Sequence, residues 1–191
     1  MRLLEDRIRR DGVIKAGDIL KVDSFLNHQI DVAFVSGLGR EFYRLYGGCN
    51  VNKILTIEAS GIGIACLTAQ FFGCPVVFAK KAKTKNISSD VYSAEAVSYT
   101  HGGTSTVVVS KEFLSDSDRI LIIDDFLANG AALTALASIA EQAGATVVGA
   151  GIVIEKAYQP GGDMLRARGM RVESLAKIKS MSEKDGFVFC D

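Results

Sequence analysis

Apolar residues change their spacing several times along this chain, and each change predicts an element. Ile120 to Ile123 form an unbroken apolar run, short enough for a strand buried on both faces of a parallel sheet. Two carboxylates, Asp124 and Asp125, follow at once, and then the small residues Ala128, Asn129, Gly130, Ala131 and Ala132. Leu133, Leu136, Ala137 and Ala140 recur at helical spacing, and Gly144 is placed to end that helix. The stretch predicts a strand, a tight loop and a helix N-terminus. An earlier stretch has the same order. Lys53 to Ile57 reads as a strand, Glu58 to Gly61 as a tight loop, Ile62 to Phe72 as an apolar helix closed by Gly73, and Pro75 to Ala79 as the next strand. Strand–helix–strand units here and over residues 120 to 154 imply a parallel sheet covered by helices.

The flanks are less regular. Residues 2 to 10 predict a charged helix ending near Gly12, and Ile19 to Val22 a short strand. Asp23 to Asp31 is polar and without a period, with Asp31 placed to cap the next helix. Val35, Leu38, Phe42 and Leu45 form the apolar stripe of that helix, although Gly37 and Gly39 weaken it by roughly 1 kcal/mol each. After Lys80-Lys-Ala-Lys-Thr-Lys85 a polar stretch runs to Gly103, a loop long enough to be functional or mobile. Within it Val91, Tyr92 and Val97, Tyr99 are expected to pair as a loose hairpin, and Thr106 to Val109 to return to strand. Thr146 to Ile154 predicts a long buried strand ending in Glu155-Lys156. A loop at Tyr158 to Gly162, a short helix at Met164 to Arg168 and short strands at Val172 to Ile178 and Phe187 to Phe189 complete the chain. The N-terminal part and the C-terminal tail are expected to fold together as a cap on the sheet.

Composition narrows the class. With 191 residues and 48% hydrophobic content the chain suits one globular domain. A formal net charge of +0 provides no overall basic field for nucleic acid. No apolar run reaches the ~18 residues of a membrane span, and the N-terminus is too charged for a signal peptide. Cys49, Cys66, Cys74 and Cys190 form no Cys-x-x-Cys pair and lie far in sequence from His28 and His101. They read as free thiols in a reducing cytoplasm rather than a metal or disulfide framework.

The loop after Asp125 suggests one chemical use. Small side chains let a ligand approach the main chain, and the free N–H groups of a helix start favour an anion, usually phosphate. The neighbouring carboxylates accept hydrogen bonds from vicinal hydroxyls. Together they describe a receptor for a ribose 5-phosphate. No Gly-Lys-Ser/Thr follows, so this is not a Walker loop, and the three glycines of a dinucleotide fingerprint are missing.

Ile122-Ile-Asp-Asp-Phe-Leu-Ala-Asn-Gly130 resembles the phosphoribosylpyrophosphate (PRPP) signature of the type I phosphoribosyltransferases. It departs from the usual pattern at Asn129, Ala131 and Ala132, and one hydroxyl of the usual phosphate cradle is lost. Residues 22–31, 124–130, 152–156, 159–161 and 171–176 are similar to the bacterial members that act on xanthine, where Gln more often stands at the place of Ala131. The resemblance implies an α/β fold with a parallel sheet flanked by helices and a small hood. A single domain spans residues 1–191, with the core at about 50–156, the hood from about 1–35 and 157–191, and a mobile loop at about 82–104.

It also implies roles. Asp124 and Asp125 hold the ribose hydroxyls, and one of the two, Asp124 or Asp125, stabilises the oxocarbenium-like sugar. Ala128, Asn129, Gly130, Ala131 and Ala132 cradle the 5-phosphate. Ala59, Ser60 and Gly61 meet the pyrophosphate with Lys80 and Lys81, a basic residue of this region being able to reach a neighbouring subunit's site. Leu20, Asn27 and Lys156 lie at the base; Lys156 donates to an exocyclic oxygen and Asn27 bonds the 2-oxo group. Read from the residues alone, Asn27 is a cap, Lys156 a surface lysine at a strand end and His28 a packed or solvated histidine. The implied cofactor is Mg²⁺ carried mainly by PRPP, with no protein metal site. The implied state is a cytoplasmic homodimer without nucleic-acid or membrane partners. The reaction is purine salvage of xanthine to xanthosine monophosphate (XMP). A guanine, hypoxanthine or adenine transferase, or a PRPP-sensing regulator, is the alternative.

Overall fold

The computed structural model describes residues 1–82, 90–98 and 103–190. Its centre is an eight-stranded sheet in the order β10-β9-β8-β7-β3-β4-β6-β5. β3 (Lys53–Ile57), β4 (Val76–Ala82), β7 (Arg119–Leu127), β8 (Thr146–Lys156) and β9 (Val172–Ser182) run parallel. β5 (Val91–Ser98), β6 (Gly103–Ser110) and β10 (Gly186–Phe189) add antiparallel edges. Side chains alternate along β7: Leu121 and Ile123 join one core with α2 (Val32–Tyr46) and α3 (Ser60–Phe72). Ile120 and Ile122 join a second core with α4 (Ala131–Gln142) and with Leu165 of α5 (Gly161–Ala167). A sheet covered on both faces explains the unbroken apolar run.

The glycines of α2 are not equivalent. A Cβ at Gly37 would meet nothing within 4 Å, whereas one at Gly39 would lie 2.9 Å from Thr68 Cα on α3. Gly39 therefore lets the main chains of the two helices approach closely. Asp31 caps α2 as expected, accepting from the Phe34 amide at 3.2 Å.

Several boundaries differ from the expectations. β4 continues beyond Ala79 through both lysines because antiparallel β6 pairs with Lys80, Lys81 and Ala82. Val91, Tyr92 and Val97 do not fold back on one another. They lie on one continuous strand that finds its hydrogen bonds on β6, with Tyr92 opposite Val109, and Tyr99 lies outside the described residues. The loop expected at about 82–104 is thus strand at 91–98 and from Gly103 onward; residues 83–89 and 99–102 lie outside the described residues.

Near the N-terminus, α1 (Arg2–Asp11) leads into a hairpin of β1 (Val13–Lys15) and β2 (Ile19–Lys21). β1 was not expected. Asp23–Asn27, in the stretch read as polar and without a period, forms a wide helical turn that buries Phe25 and Leu26. The two ends of the chain meet: the N-terminal amine donates to the Leu175 carbonyl, and the Arg9 guanidinium lies 4.5 Å from the centre of the Phe189 ring.

Candidate active site

Sequence placed Asp124 and Asp125 after a strand, but β7 carries both, because Asp124 pairs with Ile152 and the ladder continues to Leu127 and Glu155. The strand delivers Asp124 into a buried position and Asp125 to a half-buried one. Asp124 Oδ1 accepts from the Asp125 amide at 3.0 Å, and Asp125 Oδ1 from the Phe126 amide at 2.9 Å. Burial pushes the Asp124 carboxyl well above the usual range, and the neighbouring Asp125 charge pushes it further.

The chain then turns through residues 128–130 into α4. Gly130 has the left-handed φ of 82° that this turn requires. Asn129 Oδ1 accepts from the Ala131 amide at 3.0 Å and so satisfies one donor of the helix start. A cleft of about 340 Å³ opens here, lined by Asp124, Asp125, Ala128, Asn129, Ala131 and Ala132.

The opposite wall comes from the end of β3 and the start of α3, with Ala59, Ser60 and Gly61 in the lining. α3 begins at Ser60 rather than Ile62, so a second helix N-terminus faces the same cleft. Gly61 leaves no room for a side chain: a Cβ there would lie 2.2 Å from Thr56 Oγ1 and 3.2 Å from Asp124 Oδ1. Its absence lets the helix start approach the acid pair. Two helix starts beside two carboxylates provide anion-favouring amides next to hydroxyl-accepting oxygens.

The two lysines part company. Lys81 lines the cleft, and its amide donates to Glu58 Oε1 at 2.6 Å, which places Glu58 in the same wall. Lys80, one residue away on a strand, lies on the other face, its ammonium 5.8 Å from the centre of the Phe78 ring. It borders a separate apolar groove with Phe78, Val108 and Phe113 and is not brought into this chain's cleft.

The base-side candidates lie outside that lining. Leu20 is buried on β2, and Asn27 ends the wide turn with a buried Oδ1 that has no partner among the described residues. Lys156 ends β8; its ammonium donates to the Asp18 carbonyl and lies 3.7 Å from the Asp18 carboxylate. The sequence thus brings Lys156 to the hairpin that carries Leu20. Among the described residues no three or more His, Cys, Asp and Glu side chains are grouped to hold a metal.

Sequence reasoning missed three supports of this site. Asp18 is the first. The second is Glu155, buried beside Lys156 and bound by both terminal nitrogens of Arg166 at 2.8 and 2.6 Å and by the Ser174 hydroxyl. Burial raises its pKa, yet the Arg166 and Ser174 bonds outweigh burial and hold it below its ordinary value. The third is Gly161-Gly162. The Gly161 amide donates to the Ala128 carbonyl at 3.0 Å, and a Cβ on Gly162 would lie 2.0 Å from Glu155 Oε1. The signal was visible as adjacent glycines, which a loop alone does not need.

Helix starts and paired acids at the carboxyl ends of parallel strands put anion-favouring amides and hydroxyl-accepting oxygens where open sheets of this kind bind ligands. The sequence matches the phosphoribosyl transferase domain over residues 21–180, and the chain belongs to that family. Within the family it is 56% identical over 188 residues to a xanthine phosphoribosyltransferase of Lachnoclostridium phytofermentans, covering 98% of this chain and 97% of that one. It is likewise 56% identical over 181 residues to one from Ruminiclostridium cellulolyticum, with 95% of each chain covered. Among solved structures, the adenine phosphoribosyltransferase of Giardia lamblia superposes with a TM-score of 0.78 at 20% identity, covering 93% of this chain and 98% of that one. That likeness supports the fold.

Proposed function

We propose that this chain transfers the 5-phosphoribosyl group of PRPP to xanthine, giving XMP and pyrophosphate in purine salvage. The observation that carries the reaction is the single cleft in which the starts of α3 and α4 face Asp124 and Asp125. The choice of xanthine is supported by the nearly full-length likeness to xanthine phosphoribosyltransferases.

In this reading residues 128–132 cradle the 5-phosphate with the amides left free there, while Asn129 Oδ1 holds the Ala131 amide and so fixes the turn. Asp124 and Asp125 accept from the ribose hydroxyls. As the C1–pyrophosphate bond lengthens, positive charge develops on the sugar and the Asp125 carboxylate stabilises it, as in other ribosyl and glycosyl transfers. The residues 59–61 and Lys81 hold the departing pyrophosphate. Lys156 donates to an exocyclic purine oxygen, and the Asn27 side-chain N–H donates to the 2-oxo group.

The fit to Mg²⁺ follows from the donor set: two carboxylates border a phosphate site, the hard oxygen ligands that Mg²⁺ takes alongside substrate phosphates and waters. Asp124 and Asp125 would border such an ion carried on PRPP, which would supply positive charge to the pyrophosphate. In this reading a core at about 50–156 carries the site and a hood from about 1–35 and 157–191 covers the base. A cytoplasmic homodimer completes the reading. It is supported by the apolar groove at Phe78 and Phe113, both exposed, which would bring Lys80 to a second copy. Among the described residues no helix is long and apolar enough to cross a membrane.

The test is an assay of purified protein with PRPP and Mg²⁺, offering xanthine, guanine, hypoxanthine and adenine separately. XMP formed fastest, and lost in Lys156→Ala and Asp125→Ala, is the expected result. Faster turnover of another base overturns the choice of xanthine. PRPP binding without product from any base overturns the transferase and leaves a PRPP sensor.

A further inference from the structure

Asp18 is an exposed acid in a three-residue turn, yet it gathers more side-chain donors than any core carboxylate except Glu155. The turn joins β1 to β2, and both Gly17 (φ 80°) and Asp18 (φ 64°) are left-handed. Asp18 tolerates that conformation because short polar side chains suit it. Its carbonyl accepts from Lys156, its Oδ1 from the Tyr158 hydroxyl at 2.6 Å, and its Oδ2 from Gln159 Nε2 at 3.0 Å. All three donors belong to the end of β8 and the four residues from it. The partners are separated by up to 141 residues in sequence.

Two consequences follow. Lys156 is largely buried, with 13% of its side chain exposed. Its ammonium carries three donors, and the Asp18 carbonyl occupies one of them. At 3.7 Å the Asp18 carboxylate contributes charge rather than a hydrogen bond, so the other donors keep their freedom to meet a ligand. Second, the carboxylate fastens the turn, and with it Leu20 two residues on, against the end of β8.

We propose that Asp18 is the positioning residue of the purine side of the site: it sets the direction of the Lys156 ammonium and, through Tyr158 and Gln159, closes the β1–β2 hairpin over the base. This rests on the reading of Lys156 and Leu20 as base-side residues. Asp18 lies outside the lining of the cleft that holds Asp124 and Asp125, so its loss is expected to act on base binding alone.

The experiment compares Asp18→Asn, Tyr158→Phe and Lys156→Ala in steady-state kinetics with xanthine and PRPP varied in turn. Asn keeps the left-handed turn and the carbonyl that Lys156 uses, but removes the charge. Tyr158→Phe removes one bond to Asp18 and leaves the acid in place. The expected result is a KM for xanthine raised roughly tenfold in Asp18→Asn and less in Tyr158→Phe. The KM for PRPP and the melting temperature stay where they were. Equal rises in both KM values, or a fall in melting temperature without a KM change, would show a structural role and overturn the proposal. A raised xanthine KM in Lys156→Ala, with both other variants unchanged, overturns the role of Asp18 while leaving the base site standing. An unchanged xanthine KM in Lys156→Ala overturns the base site itself, and the proposal with it.

Discussion

Gly161→Ala tests whether the phosphate loop is held in place from behind. Gly161 opens α5, and its amide donates to the Ala128 carbonyl at 3.0 Å. An added Cβ would stand 2.4 Å from Ala128 O, 2.5 Å from Gly130 N and 2.6 Å from Asn129 C. All three atoms are main chain, so no rotamer change relieves the contact. To reach 3.0 Å, the shortest separation real Cβ atoms show, loop and helix must part by about 0.6 Å. Overpacking of this kind costs about 1–3 kcal/mol, and at roughly 2–4 °C per kcal/mol the melting temperature falls by several degrees. Because the displaced atoms belong to the loop proposed to bind the 5-phosphate, and a misplacement of about 1 Å costs about 10²-fold, kcat/KM for PRPP is expected to fall roughly 10- to 50-fold. Initial rates against PRPP at saturating xanthine, with a thermal melt of the same sample, measure both. Gly48→Ala is the control, since its Cβ would meet nothing within 4 Å, and it leaves both quantities unchanged. A variant that melts lower while keeping PRPP kinetics within twofold would refute the reasoning, because α5 alone would then have absorbed the clash.

Two further outcomes follow from the same structure. In urea unfolding, Gly37→Ala gains about 0.5–1 kcal/mol from helix propensity, whereas Gly39→Ala loses about 1–3 kcal/mol by pushing α2 from Thr68 of α3; the reverse order would overturn the packing described here. Asp124→Asn is expected to lower kcat about 10²-fold and yet raise the melting temperature at neutral pH. Burial and Asp125 hold the folded pKa of Asp124 above its unfolded value, so its ionisation is easier unfolded. Its favourable contribution is full below the unfolded pKa of about 4 and is lost as pH rises through the folded pKa. The advantage of Asn should therefore widen from acid to neutral pH, and an advantage that shrinks over that range would show that Asp124 is stabilised as the anion.

The phosphate side of the site was legible because it is local. Asp124, Asp125 and residues 128–132 sit within one strand–turn–helix unit, where hydrophobic period, small residues and helix start all point to the same place. Even there the strand boundary moved, because the ladder of β7 to β8 carries on through the acids to Leu127. Propensity cannot see that partner. The two lysines show the same limit. As a basic run Lys80 and Lys81 look equivalent, but pairing with β6 makes them strand, and a strand sends neighbours to opposite faces. A contact between distant segments therefore decided which lysine meets the pyrophosphate loop. The base side lies entirely beyond local reading: Asp18 meets Lys156 and its neighbours across 138 or more residues, and no periodicity marks either partner. Such contacts leave only an indirect trace, the residue that tolerates an unusual backbone or the glycine that yields space. Asp18 at positive φ and Gly161 against Ala128 are two such traces. The first ties β8 to the hairpin beside the base, and the second ties α5, the next helix after β8, to the phosphate loop. Glu155 joins them, since it precedes Lys156 and fills the space that Gly162 leaves. The end of β8 thus joins the hairpin that carries Leu20 to the loop that opens α4, and in the proposed function this connection sets the spacing between base and phosphate.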